Sequence, residues 1–257
     1  AHFTSRRSTN ESFFTGNRKS PWFVVAYGMI GASLSGVTFM SVPGNVYTSQ
    51  FTYFGMVLGY ILGYAVIALF LLPLYYKLNL TSIYSYLNIR FGKKSEKTGT
   101  LFFILSRLIG SALRMYLVVF VLYEFVFKEW GIPFWIPAVI FIVFILAYTF
   151  KGGIKTVVWT DMLQTTFLLL AAITTVVCIL KELNISIPEL LSASSEQGFT
   201  RLFETDPRHG KFWLKQIISG AFITIVMTGL DQDMMQKNMT CKSLADAQKN
   251  VMTSSML

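Results

Sequence analysis

The feature that most constrains the fold is a series of six long apolar runs. They cover residues 21–42, 53–76, 100–127, 132–150, 157–180 and 213–235. A helix needs about 20 residues to cross the hydrocarbon core of a bilayer, and each run approaches or exceeds that length. Unpaired backbone groups are not tolerated in lipid, and the runs lack the alternating pattern of barrel strands. The sequence therefore predicts an all-α, polytopic membrane protein.

The composition and the distribution of charge agree with this class. Hydrophobic residues make up 53% of the chain and charged residues 14%, whereas a soluble domain carries about 25% charged residues. Lys and Arg are frequent before the first run and after the second, fourth and sixth runs. Short connections rich in these residues stay in the cytoplasm. The pattern predicts a multi-pass protein of the cell membrane with these segments inside.

The excess of positive charge does not require a nucleic-acid partner. The net charge of +9 is explained by the topology and by contact with anionic membrane lipid. The HExxH, CxxC and GxSxG motifs of enzymes do not occur in the sequence. Cys178 and Cys241 are predicted toward opposite sides of the membrane, so a disulfide is not expected. The sequence thus predicts no catalytic residue and no enzyme.

The first run is unusually rich in small and hydroxyl residues. Residues 28–44 read GMIGASLSGVTFMSVPG, which is a poor sequence for one continuous helix. One interpretation is that the small residues let neighbouring helices approach closely. The other is a discontinuous helix, whose freed carbonyls coordinate a cation and whose hydroxyls face a solute. Both interpretations remain open at this point.

Two arginines lie inside the third run. Arg107 and Arg114 are two helical turns apart, with Gly110 and Ser111 between them on the same face. Arg114 is about 13 residues, or roughly 20 Å, from either end of its run, beyond the reach of snorkelling. It therefore needs a carboxylate, backbone carbonyls, water or a ligand. Asp161, in the fifth run, is the natural carboxylate for an ion site or for an internal salt bridge.

Polar residues also recur in and after the sixth run. Thr224, Thr228, Asp231 and Gln232 follow helical spacing and predict one inward-facing polar stripe. Asp233 and Lys237 are predicted to mark the cytoplasmic exit of this span. Residues 236–257 are expected to form a cytoplasmic segment, amphipathic in part, that leads to a further helix.

Three segments in order resemble the sodium/solute symporter family. Residues 33–47 are similar to its unwound first core helix, residues 148–164 to its Gly-Gly-Ile and Trp-Thr-Asp-x-x-Gln segment, and residues 229–238 to its Asp-Gln-x-x-x-Gln segment. The Arg114–Met115 pair is most similar to the sialic acid carriers. The resemblance implies a LeuT-type fold of two inverted five-helix repeats. Residues 1–257 would then form one incomplete transporter domain, an N-terminal fragment with the first repeat and the first helix of the second.

The resemblance also implies a site, position by position. Main-chain oxygens of Gly31 and Leu34 would bind a sodium ion, Asp161 would serve sodium coupling or a second ion, and the other sodium ligands would be hydroxyls of an eighth core helix. The solute-facing positions would be Ser33, Ser35, Thr38, Arg114, Thr224 and Thr228.

The expected function is sodium-coupled symport of a small polar solute. Certain sugar carriers have amide side chains where this sequence has Thr38, Gly110 and Thr224. This difference favours an anionic sugar such as sialic acid over a simple hexose. The alternatives are a neutral sugar or amino-acid symporter of the same family, a transporter-like membrane sensor, and a channel. The solute, the number of sodium ions and the oligomeric state are left open.

Overall fold

The computed structural model describes residues 18–34, 36–80, 82–149 and 153–256, and the predicted all-α class is confirmed. The α-helices in these ranges are α1 (Trp22–Ser33), α2 (Gly36–Ser49), α3 (Phe54–Val66), α4 (Leu72–Lys77), α5 (Tyr84–Phe91), α6 (Lys93–Leu122), α7 (Trp135–Thr149), α8 (Gly153–Leu183), α9 (Ile187–Glu196), α10 (Trp213–Thr224), α11 (Gln232–Asn238) and α12 (Leu244–Met256). Short π-helical segments join α3 to α4 and extend α6 and α10.

Three helical stretches are long and apolar enough to cross a membrane. They are Ser41–Lys77, Lys93–Phe127 and Val157–Leu183, of 37, 35 and 27 residues. The bent pair Trp213–Gly229 and Gln232–Asn238 makes a fourth if it is counted as one span. Trp22–Ser33 and Trp135–Ala147 are shorter apolar helices, so the predicted division into six spans stays a prediction.

The described residues divide into two compact units, one within residues 80–157 and the other within residues 18–79 and 158–256. In the first unit, α5 packs on α6, with the rings of Tyr84 and Phe103 5.5 Å apart. The end of α6 packs against the start of α7 through Tyr116 and Phe134, whose rings are 5.6 Å apart.

A seam of glycines joins α3 to α10 in the second unit. Gly55, Gly59 and Gly63 recur every four residues on the buried side of α3. A Cβ atom on Gly59 would lie 2.9 Å from the Cα of Gly220, and one on Gly63 would lie 2.7 Å from the Cβ of Thr224. The two backbones are therefore in direct contact, as is common where small residues recur at this spacing in membrane helices.

The first apolar run is a broken helix. Helix α1 ends at Ser33, and Leu34 has an extended backbone with φ −87° and ψ 136°. Helix α2 then begins at Gly36. The predicted discontinuity is confirmed. The helix extends beyond the end of the first apolar run at residue 42, because α2 continues through Pro43 to Ser49.

The sixth run is broken as well, which its sequence did not predict. Helix α10 continues as a π-helical segment to Gly229, Leu230 leaves helical geometry, and the chain bends by 73° before α11. Asp231 has an extended backbone, and its carboxylate accepts hydrogen bonds from the N–H groups of Asp233 (3.0 Å) and Met234 (3.2 Å). The predicted continuous stripe is thus wrong beyond Thr228.

Helix α12 packs on α1 and α3 within the second unit. Gln248 Nε2 donates to the carbonyl of Ala68 at 2.9 Å, and the buried Asn250 donates to the side chain of Asn238. Val251 on the same helix is fully buried. The segment predicted to be amphipathic therefore forms a helix whose apolar side belongs to the core of this unit.

Candidate functional site

The end of α1 lies closely against α8 because two glycines face that helix. A Cβ atom on Gly28 would lie 3.2 Å from the Cβ of Asp161, and one on Gly31 would lie 3.0 Å from the Cα of Thr165. The first interpretation of the small residues, close helix packing, is therefore correct for these positions. The discontinuous helix of the second interpretation is present as well, because α1 breaks three residues after Gly31. Cation coordination by its carbonyls stays a prediction.

The hydroxyl of Thr165 contacts two backbone groups that lie one turn apart in α1. It accepts from the N–H of Gly31 at 3.0 Å and lies 2.9 Å from the carbonyl oxygen of Tyr27, to which it donates. It is also 2.8 Å from the carbonyl of Asp161 in its own helix. A side chain inserted beside a helical hydrogen bond is a recognised cause of helix distortion. Thr165 thus contacts α1 one turn before the break at Leu34.

The predicted sodium ligands lie at the end of a helix, where carbonyls lack intrahelical partners. Gln164 Nε2 donates to the carbonyl of Gly31 at 2.9 Å. Leu34 is the first residue beyond α1, and its N–H donates to the carbonyl of Ile30 at 2.9 Å. Carbonyl oxygens exposed where a membrane helix unwinds are typical ligands of sodium in transporters.

Asp161 is paired with a lysine from α11. Lys237 Nζ is 2.8 Å from Asp161 Oδ2 and 3.8 Å from Asp233 Oδ2. The side chain of Lys237 is only 5% exposed, and its place at the cytoplasmic exit of the span stays a prediction. The pairing with α8 follows from the bend at Leu230–Asp231, because this bend redirects α11 so that Lys237 meets α8.

Hydroxyl groups from three helices meet near the break in α1. Ser33 Oγ donates to the carbonyl of Met29 at 2.6 Å. The side chains of Ser33 and Thr228 both lie near the hydroxyl of Tyr64, on α3. Thr224 lies one turn before Thr228, and its buried side chain packs against Gly63. Ser33 and Thr228 are therefore brought together, and Thr224 lies in the adjoining helix interface.

The other predicted solute positions are not shown to join this cluster. Thr38 is half-buried on α2. Arg114 is exposed on α6 in the first unit, and no ion pair recorded among residues 18–34, 36–80, 82–149 and 153–256 includes it. Ser35 lies outside the described residues.

Several contacts of the site were not predicted from the sequence. Gln164 and Thr165 follow Asp161 by three and four positions, so helical spacing alone places them on its face and could have identified them. Tyr64 and Lys237 carry no such signal. Their roles depend on how α3 and α11 are oriented against other helices.

The buried Cys241, between α11 and α12, has a structural environment. The hydroxyl of Tyr76 lies 3.2 Å from the carbonyls of Asn238 and Cys241. Burial, followed by the charge of Asp246, raises the pKa of the Cys241 thiol to about 12. The thiol therefore stays neutral at physiological pH.

The site consists of hydroxyl and carbonyl oxygens and the buried ion pair of Asp161 and Lys237. In the part of the chain that the structure describes, no group of three or more His, Cys, Asp and Glu side chains is placed to hold a metal ion. The first and the sixth predicted spans are both broken helices. In two consecutive five-helix repeats these two spans are equivalent, because each is the first helix of its repeat. The fold and site thus define a helical membrane protein of the inverted-repeat transporter type.

The chain belongs to the sodium:solute symporter family, whose model matches residues 13–256. It is 27% identical to the sodium/sialic acid symporter SiaT of Proteus mirabilis and 28% identical to the sodium/sialic acid symporter NanT of Aliivibrio fischeri, in each case over 100% of this chain. These alignments cover 51% and 50% of the two relatives. The chain thus spans about half the length of the curated relatives it matches.

A solved structure supports the same assignment. It is the substrate-bound, outward-open state of a Na+-coupled sialic acid symporter, with a TM-score of 0.85 and 27% sequence identity. The match covers 100% of this chain and 54% of the solved one. The predicted LeuT-type fold class is confirmed.

Proposed function

We propose that the protein carries out sodium-coupled symport of a small anionic solute, with a sialic-acid-like sugar acid favoured. The observation that carries the proposal is the break in α1 at Leu34, which leaves the carbonyl of Gly31 at a helix end beside polar side chains of α8. A broken helix of this kind suits a closed binding site better than a continuous pore, so a channel is disfavoured.

The sodium ion is assigned to the main-chain oxygens of Gly31 and Leu34, with Asp161 serving coupling or a second ion. Gly31 and Asp161 belong to the contact between α1 and α8, which supports a shared role. The solved neighbour is described as revealing a novel Na+ site. Further sodium ligands are expected from the eighth core helix of the family.

The solute is assigned to hydroxyls around the break and to Arg114. Ser33 and Thr228 are both within reach of Tyr64, which supports a common pocket for them, and Ser35, Thr38 and Thr224 are proposed to complete it. Arg114 is proposed to bind a carboxylate through the two-pronged geometry of its guanidinium. The names of several relatives refer to anions, namely sialic acid, iodide and monocarboxylates, and this supports an anionic solute.

Transport follows from the linkage between the two ligands. Sodium at Gly31 and Leu34 orders the broken helix, which completes the solute pocket, so each ligand raises the affinity for the other. The membrane potential adds about 2.3 kcal/mol per charge per 100 mV to the driving force. Alternating access between the two sides of the membrane then accumulates the solute.

The experiment is uptake into proteoliposomes by the full-length protein, with sialic acid, a neutral hexose and an amino acid as matched solutes. We expect sialic acid uptake that depends on an inward sodium gradient and increases with a negative interior potential. Hexose or amino-acid uptake alone would assign the neutral alternative. Solute binding without uptake would identify a sensor, and a sodium current without solute would identify a channel.

A further inference from the structure

Lys237 lies between two carboxylates from different helices. Its Nζ is 2.8 Å from Asp161 Oδ2 on α8 and 3.8 Å from Asp233 Oδ2 on its own helix, α11. The side chains of Lys237 and Asp161 are 5% and 14% exposed, and that of Asp233 is 48% exposed. The lysine therefore has a buried partner, which is the nearer one, and a half-exposed partner within reach.

The position beside Asp161 Oδ2 is a place for one monovalent cation. A carboxylate buried to this extent needs a positive charge next to it, because an unpaired buried charge is costly. The ammonium of Lys237 supplies that charge. A sodium ion bound to the same oxygen has to take its place, because two cations against one carboxylate repel each other.

Asp233 offers Lys237 a second carboxylate to pair with when sodium occupies the position beside Asp161. It precedes Lys237 by four residues on α11, the spacing at which an acid and a lysine pair on a helix surface. The lysine side chain is a flexible four-carbon chain with three rotatable donors, so a change of side-chain rotamer moves its ammonium from Asp161 to Asp233. Before sodium binds, Lys237 neutralises the buried Asp161 while the half-exposed Asp233 is hydrated, and after sodium binds each carboxylate has one cation.

We propose that Lys237 is a tethered competitor for the cation position at Asp161. It neutralises Asp161 when sodium is absent and moves to Asp233 when sodium binds. This inference rests on the proposed function, in which Asp161 takes part in sodium binding. Since Lys237 belongs to α11, the second half of the broken sixth helix is fastened to α8 by this ion pair only while sodium is absent from Asp161. Sodium binding then breaks this one link between α11 and α8.

The test is a sodium titration of the purified full-length protein in detergent, followed by intrinsic fluorescence and by sodium-dependent binding of radiolabelled sialic acid. Lys237→Met removes the competitor and should lower the half-saturating sodium concentration by at least about fivefold, the lower end of typical coupling between sites. Asp233→Asn removes the alternative partner and should raise it by a similar factor. A merely structural ion pair predicts no tightening in Lys237→Met.

Two further variants separate the proposed exchange from a direct charge effect of Asp233. In Lys237→Met/Asp233→Asn, the half-saturating concentration should equal that of Lys237→Met, because Asp233 acts only through the lysine. Lys237→Arg keeps the charge and should not tighten sodium binding. If Lys237→Met does not fold, the half-exposed Asp233→Asn variant still provides the test.

An unchanged or lowered half-saturating concentration in Asp233→Asn would overturn the inference. So would an unchanged or raised one in Lys237→Met. A wild-type protein without any sodium response would instead overturn the proposed function, so the two failures are distinguishable.

Discussion

Side-chain partners in this protein depend on helix geometry as much as on sequence spacing. The sequence identified Asp161 as the carboxylate for an ion site or a salt bridge, but it did not identify its partner. Lys237 reaches Asp161 only because the chain bends by 73° between α10 and α11. The neighbours that share a helix with Asp161, Gln164 and Thr165, follow from helical spacing alone.

Asp161→Asn should raise the half-saturating sodium concentration of the full-length protein and change solute affinity at saturating sodium much less. The carboxamide carries no charge for a cation. Loss of one partner of a buried ion pair also costs about 3–5 kcal/mol of folding stability. Sodium titrations and thermal unfolding measure the two effects separately.

Asp161→Asn/Lys237→Met is the matched control for this substitution. It removes the unpaired ammonium and should recover stability without recovering sodium affinity. Unchanged sodium dependence in Asp161→Asn, with only protein abundance lowered, would show that Asp161 is a structural partner of Lys237 and nothing more.

Arg114→Lys should lose most of the affinity for a sugar acid although it keeps the charge. A single ammonium does not reproduce the planar, two-pronged contact of a guanidinium with a carboxylate, and the loss expected is about 1.5–3 kcal/mol, the value of a hydrogen bond to a charged group. Binding of sialic acid and of a neutral hexose should be measured on wild type and variant. Hexose binding as strong as that of sialic acid, with both unaffected by the substitution, would refute the carboxylate role.

At the scale of helices, the sequence predicts one of the two helix breaks much better than the other. The first lies among glycines and serines, which weaken a helix by propensity and predict an interruption. The second follows Gly229 in a run that otherwise has ordinary helical spacing. It depends on Asp231, which caps α11, and an aspartate in this position is equally consistent with a polar stripe on an unbroken helix.

Gly59→Ala should destabilise the protein, because the added methyl group would overlap the backbone carbonyl oxygen of Ile217 in α10. Overpacking of this kind costs about 1–3 kcal/mol. Gly44→Ala is the matched control, since nothing lies within 4 Å of a Cβ atom at that position and alanine is the better helix former. Thermal unfolding of both variants should show a loss for Gly59→Ala alone, and equal stability would contradict the glycine seam.

Asp231→Ala should destabilise α11 by about 0.5–2 kcal/mol, because two N–H groups at its start lose their acceptor. Asp231→Asn keeps a capping oxygen and should lose much less. The two variants differ in capping ability, and both remove the charge, so a comparison of their unfolding temperatures isolates the cap. If both lose the same amount, the charge of Asp231 matters and the cap does not.

At the scale of the whole molecule, the sequence predicted the membrane class and the family reliably. Apolar runs and an ordered series of three motifs are local features, and they extend over nearly the whole chain. The candidate site is less predictable, because its positions come from separate helices. Ser33 and Thr228 meet through Tyr64, a residue that no motif singled out, and Arg114 belongs to the other compact unit.

The 257-residue chain by itself should show no sodium-stimulated uptake, even when it inserts into a membrane. It covers 51% and 50% of the two sialic acid symporters it matches, and the family resemblance assigns further sodium ligands to an eighth core helix of the family, which residues 1–257 do not match. An inverted-repeat transporter alternates access by moving one set of helices against the other, so the first repeat with one helix of the second has no complete counterpart. Uptake of radiolabelled sialic acid should be compared in proteoliposomes that contain this chain or the full-length protein, at equal protein content and with the same sodium gradient. Uptake should occur with the full-length protein only, and robust sodium-dependent uptake by the 257-residue chain would refute the inverted-repeat assignment.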